Sequence, residues 1–190
     1  MTSAAKKCAT YEDLLAVPEH LGAEIIDGEL YTMPRPATPH AAAASALGEE
    51  LGPPFKRGRG GPGGWLILGE PELHVGGDIV APDLAGWRRE RMPRLPNGPY
   101  IELAPDWVCE VLSPSTQARD RTIKLGVYRR ESVAHVWLVD PSSRTLEVLR
   151  RTPDGWLIVL SEGDDAKVRA EPFDAIELDL AILWADVERE

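Results

Sequence analysis

Glu110 stands inside the apolar run Trp107-Val108-Cys109-Glu110-Val111-Leu112, where a carboxylate needs a reason to be. An ionised carboxylate is costly to bury unless it is paired, hydrogen-bonded or bound to a metal. Asp83 follows Pro82 between two short apolar stretches, and Lys124 lies beyond Glu110 with Asp120 four residues before it. Each has an ordinary reading on its own. Pro-Asp marks turns, a buried glutamate is satisfied by an ion pair, and a helix lysine is solvated or paired with its i−4 acid. Together they suggest more. Two carboxylates from neighbouring strands, with a backbone carbonyl from Val111 or Leu112, are ligands for a hard divalent cation such as Mg²⁺. An ammonium reaching over the strand end would orient, or help deprotonate, a water on that ion. This is the equipment for hydrolysing a phosphodiester.

The elements that must position these groups can be read in order. Residues 1–9 are expected to be a disordered lead-in, and residues 10–190 a single domain. Thr10 caps a short helix that ends before Pro18. Residues 23–26 and 30–33 flank Asp27-Gly28, a strong hairpin signal. Thr38, as N-cap, and Pro39 open an alanine-rich helix to about Leu51. The Gly- and Pro-rich residues 52–64 read as a mobile loop. Strands follow at 65–68 and 72–75, and at 79–87, where Pro82 implies a bulge or an edge. Residues 88–105 form a polar loop. The strand around Glu110 leads into a helix over about 116–131, then a buried strand at 134–139. A second hairpin surrounds Pro153-Asp154-Gly155, and a short helix is expected near 180–187. Strands before and after a strand–helix–strand unit predict an α/β protein, a mixed sheet flanked by helices.

The chain has 190 residues, 43% of them hydrophobic, enough for a real core. No apolar run approaches the ~20 residues of a membrane helix, so no membrane partner is expected. Cys8 and Cys109 lie in unlike surroundings, so no disulfide is expected and the cytoplasm is the natural compartment. Cys109 should alternate to the face opposite Glu110 as an inert core thiol. The formal net charge of −10 argues against a surface that coats nucleic acid. That charge is uneven. Residues 162–190 carry ten acids against three bases and residues 1–35 six against three, whereas residues 36–161 carry fifteen of each. Local basic clusters remain, as at Arg88, Arg89, Arg91 and Arg94. Tryptophan should mainly fill the core, with Trp65 beside a basic loop placed to stack a base.

Pro82-Asp83, Glu110 and a following lysine resemble the PD-(D/E)xK restriction-endonuclease-like superfamily. More narrowly, the ordered set Glu24-Ile25-Ile26-Asp27-Gly28-Glu29-Leu30, Ala81-Pro82-Asp83-Leu84, Cys109 to Thr116, Arg119-Asp120, Lys124-Leu125 with Tyr128, and Val136 to Pro141 is similar to the Uma-two family of bacterial endonucleases. The likeness covers roughly residues 10–186. It implies a restriction-endonuclease-like mixed β-sheet core flanked by helices, Asp83 and Glu110 as Mg²⁺ ligands (Mn²⁺ substituting), and Lys124 as the catalytic lysine. DNA is the implied substrate, and a homodimer would suit cutting two strands. The superfamily's usual lysine position is here Leu112, so the lysine is displaced into the helix. Glu24 resembles an extra acid near the metal, although its own surroundings read as a surface hairpin. His40 resembles a polar position of the family, although its own surroundings read as a solvent-facing helix residue. Ser132 stands where the family has a glycine, and His135-Val136-Trp137 replaces an aromatic pair. The alternative to an endonuclease is a catalytically silent interaction module for nucleic acid or protein on the same fold.

Overall fold

The computed structural model describes residues 8–188. The expected disordered lead-in falls outside the described residues up to position 7. Cys8 and Ala9 are described, and the Ala9 N–H donates to the Gly28 carbonyl. Thr10 caps α1 (Tyr11–Leu15) through a reciprocal capping box with Asp13. The hairpin of β1 (Leu21–Ile26) and β2 (Glu29–Pro34) turns at Asp27 and Gly28, both with positive φ. α2 (Thr38–Leu51) begins one residue earlier than expected: Ala37 is its N-cap without a side-chain bond, and Thr38 already lies inside the first turn. Pro39 therefore fixes the start without help from the threonine hydroxyl.

The Gly- and Pro-rich stretch expected to be a mobile loop begins instead as a π-helical turn (Gly52–Lys56) that drives Phe55 into the core. Its composition hid one apolar side chain, which decides the matter. β3 (Trp65–Gly69) and β4 (Leu73–Val75) follow. The run expected to be one bulged strand is two, β5 (Asp78–Val80) and β6 (Leu84–Arg88), and they belong to different sheets. Pro82 cannot donate to a ladder, so the chain leaves one sheet there and enters the next. Asp83 sits at that crossing.

β7 (Trp107–Val111) is buried throughout. Beyond it, α3 (Gln117–Arg119), a π turn (Asp120–Lys124) and α4 (Leu125–Arg130) form one helical stretch. β8 (His135–Asp140) pairs parallel to β7, the right company for a strand–helix–strand crossover. β9 (Thr145–Arg151) and β10 (Trp156–Gly163) make the second hairpin. A small pair, β11 (Lys167–Val168) with β12 (Leu178–Asp179), was not foreseen, and the terminal helix is a 3₁₀ turn over Leu180–Trp184.

A six-stranded mixed sheet, ordered β10-β9-β8-β7-β6-β3, forms the centre. One face packs under α2 and the 3₁₀ turn, with Leu47, Leu51, Trp107, Cys109, Trp137 and Phe173 at its heart. The other face packs against α4 and the four-stranded sheet β2-β1-β5-β4, through Ile26, Leu73, Val80, Val108, Val127 and Tyr128. Cys109 is buried on the first face, as expected, and burial raises its thiol pKa. Trp65 does not face a basic surface open to bases. It is buried against Phe173, with the Arg88 guanidinium 4.6 Å over its ring.

Phe173 touches Phe55, Trp65, Trp107 and Trp137 at centroid distances of 4.6–5.6 Å, joining the sheet to α2's side of the core. Phe173→Ala should cost about 3–5 kcal/mol, measured by urea unfolding, because four rings lose one partner at once.

Candidate active site

The switch between sheets at Pro82 and the end of β7 bring Asp83 and Glu110 to the wall of one cavity of about 530 Å³. Asp83 is fixed by its neighbour strand: the Val111 N–H donates to its Oδ2 at 2.6 Å. Its Oδ1 lies 3.1 Å from His40 Nε2 on α2. His40 is thus not the solvent-facing residue its helix suggested. It is mostly buried, and it holds the aspartate from the opposite side.

Glu110 is 3% exposed and meets Lys124 and Tyr128. Its Oε1 lies 2.8 Å from Lys124 Nζ and accepts a hydrogen bond from the Tyr128 hydroxyl. Lys124, expected to be solvated or paired with Asp120 alone, is 3% exposed. Its ammonium is 2.9 Å from Glu24 Oε1 and 4.0 Å from Asp120 Oδ1. Asp120 and Lys124 stand four residues apart across the π turn, so both face inward together. Glu24 is no surface hairpin residue. It is 2% exposed in the centre of β1, where its Oε1 also accepts the Ala81 N–H at 3.0 Å.

The charges around this ammonium act against one another. Burial raises the pKa of Glu110 well above the carboxylate range, and Lys124 only partly offsets that. For Lys124 burial works downward, but Glu110, Glu24 and Asp120 outweigh it and raise the pKa above its ordinary 10.5. The amine is therefore a fixed cation. It neutralises the carboxylates packed around it. Burial also raises Asp120 and Tyr128.

A cation suits this donor set. Glu24, Glu70, Glu72, Asp83, Glu110 and Asp120 line the cavity against Lys124, Arg119 and Arg35, a formal excess of three negative charges. Glu24 Oε2 is buried without a hydrogen-bond partner, an atom of the kind that a water or an ion satisfies. The donors are hard oxygens, the class Mg²⁺ takes. Among the described residues no three His, Cys, Asp or Glu side chains are already grouped as a metal cluster. The set expected from the sequence, two carboxylates and a backbone carbonyl, needs no third such side chain.

Sequence reasoning placed Asp83, Glu110, Val111, Lys124 and Glu24, and all five line this cavity. It passed over the pairing of His40 with Asp83 and the Tyr128 hydroxyl on Glu110. Tyr128 follows Lys124 by one helical turn, a spacing that could have signalled a shared face.

The family model described as "Putative restriction endonuclease", Uma2, matches residues 8–182. A crystal structure described as a "putative nuclease belonging to DUF820", from Anabaena variabilis, is similar with a TM-score of 0.73 and 25% identity. The match covers 93% of this chain and 98% of that one. No curated protein matches the chain. Among the described residues no helix is long and apolar enough to cross a membrane.

For His40, burial lowers the pKa, but the hydrogen bond and charge of Asp83 outweigh it, and the net shift is upward from 6.5. A raised folded value means the folded state binds the proton more tightly. The stabilisation is then full below pH 6.5 and fades as pH rises through the raised value. In EDTA, wild-type stability should decline over that window, and His40→Gln should flatten the decline in urea unfolding followed against pH.

Proposed function

The chain belongs to the Uma2 family, and on that premise we propose that it is a Mg²⁺-dependent nuclease that hydrolyses phosphodiester bonds in DNA. The observation that carries this reading is the meeting of Asp83, Glu110, Glu24 and a protonated Lys124 on one cavity with an unbalanced negative charge. Asp83, Glu110 and the Val111 carbonyl would hold Mg²⁺, which supplies Lewis acidity and a more acidic water.

The chain's own groups then have separate tasks. In hydrolysis the water oxygen bonds to phosphorus while the phosphodiester P–O bond to the leaving oxygen breaks. Glu24, with one oxygen lacking a donor, accepts the proton that the water loses. The leaving oxygen takes its proton from solvent. Lys124 stays an ammonium, positions Glu24 and Glu110, and stabilises the charge that gathers on the phosphoryl oxygens. Val111 N–H and His40 keep the Asp83 carboxylate aimed across the strand ends.

A silent interaction module on the same fold has one observation in its favour. Lys124 already pairs with one oxygen each of Glu24 and Glu110, so the cluster holds together as ion pairs without a metal.

The two readings part in a Lys124→Ala variant. Losing the ammonium leaves buried carboxylates unpaired, which should cost about 3–5 kcal/mol of stability in EDTA. In the nuclease reading Mn²⁺ restores much of that loss, and isothermal calorimetry finds metal affinity retained while cleavage disappears. Asp83→Ala and Glu110→Ala should lose both affinity and cleavage. A Lys124→Ala protein that Mn²⁺ does not rescue, beside a wild type that cuts no DNA, would favour the silent module.

A further inference from the structure

The cavity has a second half that hydrolysis leaves unexplained. Part of its wall is apolar, built from Leu14 and Val17 around the end of α1, Leu21 of β1, and Met33 and Pro34 of β2. Arg119 stands between the two halves. Its guanidinium has an under-used donor set: Nε is buried without a partner. One Nη donates to Met33 Sδ at 3.0 Å, a weak acceptor, and lies 3.8 Å from Glu24 Oε2, beyond hydrogen-bond length. A planar cation with spare donors, between an apolar wall and the reacting carboxylates, suits a phosphate with a base attached.

Burial sharpens the choice of substrate. Glu24, Glu110 and Lys124 are 2–3% exposed, so a phosphodiester must enter the cavity to meet them. Its volume of about 530 Å³ is of the size that encloses one small ligand. A paired strand keeps its bases in the stack, and enzymes that need a buried reach take the nucleotide out of it or act on single strands. We propose that the cavity takes one unpaired nucleotide of a DNA strand, its phosphate on Arg119 and its base against the Leu14, Val17, Leu21 and Met33 wall. Aliphatic side chains read no base edge, so the contact is independent of sequence. Arg119 is a substrate-binding residue in this arrangement. The inference rests on the nuclease reading for where the phosphodiester is cut, and stands apart from it for what the cavity binds.

The test separates binding from cleavage. In EDTA, fluorescence anisotropy should show a fluorescein-labelled oligothymidylate of about eight nucleotides binding at least about tenfold more tightly than a duplex of equal length, as base extrusion costs the duplex. Arg119→Ala should weaken that binding by about ten- to a hundredfold, and Arg119→Lys should recover part of it. Val17→Trp, in a partly exposed turn outside the charged cluster, should fill the apolar half and weaken binding with the melting temperature unchanged. In Mg²⁺, a duplex carrying an unpaired bubble should be cut at the bubble in preference to the paired flanks. Oligothymidylate bound through Arg119 but left uncut in both Mg²⁺ and Mn²⁺ would leave the inference standing and defeat the nuclease reading alone. Paired duplex bound and cut as well as the unpaired strand would overturn the inference and leave the nuclease reading intact. Wild-type oligothymidylate affinity in both Arg119→Ala and Val17→Trp would overturn it too.

Discussion

One ammonium held among three carboxylates, all nearly sealed from solvent, is the constraint around which the site is built. Lys124 reaches Glu110 from the helical stretch after β7, Glu24 from the middle of β1, and Asp120 from its own π turn. Glu110 lies on the central sheet itself and the others on elements packed against one of its faces, so the cluster ties the four-stranded sheet to the six-stranded one. Removing water from such a group of charges is expensive, and mutual attraction repays it only with close geometry and further hydrogen bonds. The Tyr128 hydroxyl and the Ala81 N–H supply those bonds to Glu110 and Glu24. The same arrangement leaves negative charge in excess, which gives a hard cation a place to act.

Asp83 belongs to a different part of the design. It is placed by the backbone rather than by the ammonium, at the point where Pro82 ends pairing in one sheet and the chain enters the next. A strand N–H and a helix histidine grip its two oxygens. The site thus joins a rigid edge, set by β6 and β7, to a charged interior set by the helix. Arg119 and the apolar residues share its cavity, so the proposed chemistry lies within a cleft and not on an open face.

The sequence made much of this legible, for physical reasons. A carboxylate inside a five-residue apolar strand stands out because burial demands compensation, and Glu110 stood out for that reason. The Asp27-Gly28 hairpin and the short capped helix after Thr10 follow from local rules that need no tertiary knowledge. Other features depended on contacts between distant elements. Glu24 looks like a polar position in a surface hairpin until β5 covers its strand, and His40 looks exposed until the sheet edge carrying Asp83 arrives beside it. The π turn over Asp120–Lys124 has no composition signal, although the i,i+4 spacing of its two end residues was legible. The Gly- and Pro-rich stretch misled because Phe55, one side chain in thirteen residues, docks in the core.

In the proposed site Asp83 and Glu110 share one divalent cation. Crystals soaked in Mn²⁺ and measured at its absorption edge test this directly. An anomalous peak should appear within about 2.0–2.5 Å of a carboxylate oxygen from each residue, with Lys124 still beside Glu24. No peak between them, with Lys124 alone bridging Glu24 and Glu110, would contradict it.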